Sequence, residues 1–121
     1  MAEKKDKLSL LRDYLDDDTQ QIKEMLELFL DNIPNDLKEL TLLCEKYDVE
    51  SIWKAAHRIK SSVKLFGLND VGEILQKIEI LSKENSPKSQ LKTLVTQVNQ
   101  LMDHELKLLR KKLTRLEALL S

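Results

Sequence analysis

Two glycines and two prolines in 121 residues leave few places where this chain can turn sharply. An all-β fold needs a turn residue every few positions, so the scarcity excludes one and points to long helices. Aromatics are 4% of the chain, so the core must be aliphatic. The single cysteine, Cys44, allows no internal disulfide. One cysteine and two distant histidines, His57 and His104, provide no ligand cluster for a metal. No run of ~18 apolar residues exists to cross a bilayer. The charged opening Met1–Lys7 is followed by no apolar core of a signal peptide, so a cytoplasmic protein is expected. The starting methionine and charged leader favour a stand-alone protein. A formal net charge of −1 gives no general attraction to nucleic acid or membrane.

The remaining composition suits one globular domain, with 41% hydrophobic and 34% charged residues. Residues 1–7 read as a disordered leader and 8–121 as a single domain. Leu8, Leu10, Leu11, Tyr14 and Leu15 have helical spacing, and Asp16-Asp17-Asp18-Thr19 ends that short helix and offers caps for the next. A second helix follows from about Thr19 to Tyr47 along the stripe Ile22, Met25, Leu26, Phe29, Ile33, Leu37, Leu40 and Leu43. Pro34 lies inside it. The stripe resumes in phase beyond the proline, which predicts a kink rather than a break. Asp48 caps a third helix that stops at Gly67. Asn69 is positioned to cap a fourth, through Val71, Ile74, Leu75, Ile78 and Leu81. Ser86-Pro87 begins a fifth, with Ser86 as cap and Pro87 as first helical residue. The fifth stripe runs from Leu91 to Leu120, about 50 Å of helix at 1.5 Å per residue. The sum is an all-α, antiparallel up-down four-helix bundle with a short extra N-terminal helix and an extended C-terminal helix. The extension beyond Leu106 is expected to pack within the chain, on the first helix, giving a monomer.

The third helix carries the chemistry. On a helical wheel at about 100° per residue, Ile52, Ala56, Ile59, Val63 and Phe66 fall within roughly 80° of arc and form a core face. His57 lies roughly 150° from the centre of that arc, in water. Trp53 is its neighbour one turn before, Lys60 and Ser61 one turn after, and Lys64 two turns after. A neutral imidazole is a good nucleophile near pH 7 and can carry a phosphoryl group. Lysines along the same face would offset that group's charge. The same features also describe an ordinary solvated face, and the wheel alone does not separate the two.

The run His57-x-x-Lys60-Ser61-Ser62-x-x-x-x-Gly67 resembles the histidine-containing phosphotransfer (HPt) motif, His-x-x-Lys-Gly-(Ser/Ala)-…-Gly. Ala55-Ala56 before the histidine is typical of these domains. Upstream, Leu26-Glu27-Leu28-Phe29-Leu30-Asp31-Asn32-Ile33-Pro34 is similar to the segment that precedes their active helix. The likeness spans roughly residues 10–85. It implies a helical bundle acting as a phosphorelay intermediate. His57 would accept a phosphoryl group from the aspartyl phosphate of one receiver domain and pass it to another. Lys60 would stabilise the group and Gly67 would end the active helix. The chain would be a phosphocarrier without an ATP site or cofactor, any Mg²⁺ belonging to the partner receiver. Receiver domains, and a hybrid histidine kinase, are the implied partners.

Two positions depart from the pattern. Ser61 replaces a glycine. Glu79, on the fourth helix, stands where some members carry a glutamine, and a carboxylate there could fix the imidazole tautomer or repel the phosphoryl group. Around His57, Trp53, Lys60, Lys64 and the end of the second helix near Ile33 are the candidate partner surface. Two other readings compete. His104-Glu105-Leu106-Lys107 is similar to the phosphoacceptor box of histidine kinase dimerisation helices, but Leu108-Leu109 replaces its Asn/Thr-Pro pair. A non-catalytic helical adaptor, binding a receiver or partner helix through the leucines after Leu106, would explain the long last helix but not the His57 motif.

Overall fold

The computed structural model describes residues 8–121, and the leader expected over 1–7 lies outside them. Five helices follow in order: α1 Ser9–Tyr14, α2 Thr19–Lys46, α3 Val49–Leu65, α4 Asn69–Lys83 and α5 Lys88–Leu120. There is no strand among the described residues. The four long helices pack in a closed ring, α2 on α3, α3 on α4, α4 on α5 and α5 back on α2. The antiparallel sense of α2 and α5 shows in their cross-links. Asn99 donates to Thr41 Oγ1 at 3.0 Å, and Lys92 lies 3.7 Å from Glu45, so one helix advances as the other returns.

The stripes face inward as their spacing requires. Ile52, Ala56, Ile59, Val63 and Phe66 of the third-helix face are all buried. They meet Ile22, Leu26, Phe29, Ile33, Leu37 and Leu40 from α2 in one continuous core with α4 and α5. The Phe29 and Phe66 rings pack with centroids 4.3 Å apart, joining α2 to the C-terminal end of α3. Helix α2 continues through Pro34 without interruption. The tail of α5 packs within the chain: Leu109 and Leu116 are buried, and Leu116 shares a small cleft with Leu8 and Arg12 beside α1.

The helix ends fix the connections. Asp18 Oδ1 accepts from the Gln21 amide at 3.1 Å, and Asp48 Oδ1 from the Ser51 amide at 3.3 Å, so both aspartates cap as expected. Helix α3 ends in a paired closure. The Gly67 amide donates to Lys64 and the Leu68 amide to Val63, both at 3.0 Å. Gly67 has φ 71°, which a Cβ would oppose. Leu68 also caps α4, its carbonyl accepting from Gly72, so the cap is Leu68 and Asn69 is the first helical residue. The start of α5 is displaced by one residue in the same way. The Ser86 amide closes α4 on Leu81, and the Pro87 carbonyl accepts from the Gln90 and Leu91 amides, so Pro87 is the cap and Lys88 the first helical residue. Helix α2 closes through Tyr47, which takes the left-handed conformation at φ 55°. Its hydroxyl donates across to the carbonyls of Asn85 (3.1 Å) and Ser86 (2.7 Å), tying the α2–α3 turn to the α4–α5 turn.

The two glycines should respond oppositely to alanine. Gly67→Ala should cost about 1–2 kcal/mol in urea unfolding because its backbone is left-handed. In Gly72→Ala the new Cβ meets the Lys64 side chain at 3.4 Å and 3.6 Å, a flexible neighbour that can shift. Helix propensity favours alanine there by about 1 kcal/mol, so Gly72→Ala should be neutral to stabilising.

Candidate functional site

Helices α3 and α4 are the most extensively packed pair, joined by only three residues, Phe66 to Leu68. Their register sets His57 opposite Glu79. His57 lies on the outer flank of α3, its side chain 57% exposed, as the wheel predicts. Glu79 is withdrawn into the groove with a side chain only 10% exposed. Nδ1 of His57 and Oε1 of Glu79 are 2.9 Å apart. Lys60 Nζ donates to Oε2 of the same carboxylate at 2.8 Å. The sequence puts Lys60 on the polar face of α3, but its side chain is only 15% exposed because the carboxylate draws it into the groove. One buried acid therefore holds the histidine and the lysine of the motif together.

Burial pushes the Glu79 carboxyl up, but the hydrogen bond and charge of Lys60, with a smaller contribution from His57, outweigh it and hold the group below the usual carboxylate range. Glu79 is therefore ionised at neutral pH. A carboxylate only accepts hydrogen bonds, so Nδ1 must be the donor. In the neutral ring the lone pair is then on Nε2, which has no hydrogen-bond partner among the described residues. The arrangement presents one defined nucleophilic nitrogen on a half-exposed ring.

Lys83 extends the cluster. Its Nζ is 3.8 Å from Glu79 Oε1 and 4.4 Å from the centroid of the Trp53 ring. The indole is half-buried, with Lys54 at its other approach, 5.9 Å away. Lys83 escaped the reading of the sequence. Its distance from His57 along the chain gives no signal, and only the α3–α4 register brings it to the site. Lys64 is exposed, its stem resting over α4 where Gly72 has no side chain. Ser61 is exposed and its hydroxyl turns back to the His57 carbonyl at 3.2 Å, leaving the ring open. Gly67 is remote from the ring and shapes only the end of α3.

One expected surface residue is not at the surface. Ile33 is 1% exposed, because the α2 stripe carries it into the core between Phe29 and Leu37. The exposed apolar residue on that side is Leu28, 58% exposed, on the rim of the groove between α2 and α3 that Arg58 and Ser62 line from the other side. His104 is exposed on α5.

A family model described as the Hpt domain matches residues 24–120. The chain belongs to the Hpt domain family. Hpt domains are phosphocarrier modules of phosphorelay signalling and interact with receiver domains. The match covers α2 from its second turn and all of α3, α4 and nearly all of α5, so it includes the His57–Glu79–Lys60 cluster. No curated protein and no solved structure matches the chain. Among the described residues of this Hpt domain, no helix is long and apolar enough to cross a membrane, and no group of three or more histidine, cysteine or acidic side chains could hold a metal.

The depressed Glu79 ionisation has a consequence for stability. A group whose folded pKa lies below its unfolded value stabilises the fold above the unfolded pKa, and loses that contribution as pH falls through the folded one. Wild type and Glu79→Gln should therefore differ most in urea midpoint near pH 6–7, with the gap closing as pH falls below about 4.3. A gap that stays constant down to the acid limit would contradict the ionised carboxylate.

Proposed function

We propose that His57 is the phosphoacceptor of a phosphorelay step between receiver domains. The observation that carries this reading is the Nδ1–Glu79 hydrogen bond, which leaves Nε2 as the free nucleophile on an exposed ring. Nε2 attacks the phosphorus of a receiver's aspartyl phosphate. The N–P bond forms as the P–O bond to the aspartate breaks, and the receiver's carboxylate leaves with the electron pair. The proton on Nδ1 stays in place throughout. The loaded ring carries positive charge, which Glu79 offsets across the 2.9 Å hydrogen bond. In the onward step the same proton lets the ring depart as neutral imidazole rather than as imidazolate.

Glu79 thus acts as a positioning residue rather than an obstacle. The lysines around it, Lys60 and Lys83 at the carboxylate and Lys64 further along α3, keep the local balance positive for an incoming dianion. The chain supplies a histidine, a positioning acid and cations, and any Mg²⁺ belongs to the receiver. The receiver approaches the open side of α3, with Trp53 at one edge and Leu28 taking the apolar role expected of Ile33.

The test uses a phosphorylated receiver as donor. Wild type should gain acid-labile, base-stable label, His57→Gln should gain none, and His104→Gln should label normally. Glu79→Ala should slow transfer about 10-fold or more, while Glu79→Gln, whose amide oxygen can still accept from Nδ1, should retain most of the rate. Label that survives His57→Gln and disappears in His104→Gln would overturn the assignment.

A further inference from the structure

The motif names one lysine for the phosphoryl group, but the geometry distributes the work differently. Lys60 is bound to Glu79 at 2.8 Å and is largely enclosed, with 15% of its side chain exposed. Drawing it out to a phosphoryl group would leave a carboxylate that is itself 10% exposed without its main counter-charge. Removing one partner of an enclosed ion pair is costly because the other charge stays desolvated. Lys83 is placed otherwise. At 3.8 Å from Oε1 it makes no hydrogen bond, its side chain is 52% exposed, and its ammonium rests over the Trp53 ring at 4.4 Å. A cation–π contact at such an exposed site is a weak restraint. Of the two cations on this carboxylate, Lys83 is the one that can move at little cost.

Its direction of movement is also set. Side chains on a helix lean toward the N-terminus of that helix. His57 therefore leans toward the turn of Trp53, and Lys83 toward the turn of Glu79. The two helices are antiparallel, so the ring and the ammonium converge on the same stretch of groove. Glu79 Oε1, which accepts from His57 Nδ1, is the oxygen that Lys83 approaches.

We propose that Lys83 is the mobile phosphoryl-binding cation of this domain, parked on Trp53 and swinging to the phosphoryl group on His57, while Lys60 stays with Glu79 as its fixed counter-ion. This rests on the phosphoacceptor assignment above. Trp53 then serves as a resting place for the cation as well as an edge of the partner surface.

The experiment loads the full chain with phosphoramidate, a small donor that needs no receiver, and maps the phosphoryl group by mass spectrometry. Phosphorus NMR then follows the ionisation of the phosphoryl group with pH in wild type, Lys83→Gln, Lys83→Arg and Lys60→Gln. A nearby cation favours the dianion and lowers that pKa. Lys83→Gln should raise it by about half a unit, Lys83→Arg should restore it, and Lys60→Gln should move it less. Trp53 is the only tryptophan, so its emission reads the parked cation directly. Emission should change on loading of wild type and not of Lys83→Gln. With His57 loaded, an unchanged phosphoryl pKa in Lys83→Gln, a larger shift in Lys60→Gln, or an equal emission change in Lys83→Gln would each overturn the role of Lys83 and leave the phosphoacceptor intact. Failure of His57 to carry the group at all would overturn both.

Discussion

A carboxylate enclosed between two helices has to find charge and hydrogen bonds there, or it does not stay ionised. Glu79 finds them on α3: the Nδ1 proton of His57 on one oxygen and the ammonium of Lys60 on the other. Everything distinctive about the site follows from that arrangement. The ring is held in one tautomer, its outward nitrogen is free, and the motif lysine is drawn inward. A glutamine in the same place could accept from Nδ1 but would not hold Lys60 with opposite charge, so the ammonium would be freer. The acid therefore changes which cation is available, as well as how the ring is oriented.

The core serves the same end. Small Ala55 and Ala56 lie beside His57 on α3, both buried. The short side-chain bonds across the groove require the two helices to lie close together. The aliphatic stripes then hold that approach: Ile52, Ile59 and Val63 from α3, with Val71, Leu75 and Ile78 from α4, are all withdrawn from water. Packing of this kind is rigid on the scale of the 2.8–2.9 Å contacts it positions.

The amphipathic periods made the helices, the inward faces and the outward placement of His57 legible in the sequence, because each depends on spacing within one helix. The elements that escaped depend on two helices at once. Lys83 meets Trp53 and Glu79 only through the α3–α4 register, and the inward turn of Lys60 depends on the acid across the groove. Ile33 differs from expectation because it lies in the middle of α2, where its own stripe points it inward. The starts of α4 and α5 each differ by one residue from expectation. At Leu68 one residue serves both helices, its amide closing α3 and its carbonyl opening α4, an overlap that spacing within a single helix does not reveal.

Tyr47 gives the register a mechanical basis. Its ring stands two residues before α3, and its hydroxyl grips the carbonyls just past the end of α4. At the other end the same two helices are joined by the short closure through Gly67 and Leu68. The pair is thus clasped at both ends like a buckled strap, with His57 and Glu79 between the clasps. A slip of one residue along α4 would move His57 by about 1.5 Å, enough to part a hydrogen bond. The clasp resists that slide, so a docking partner meets a site whose backbone is already set and in which only side chains need to answer.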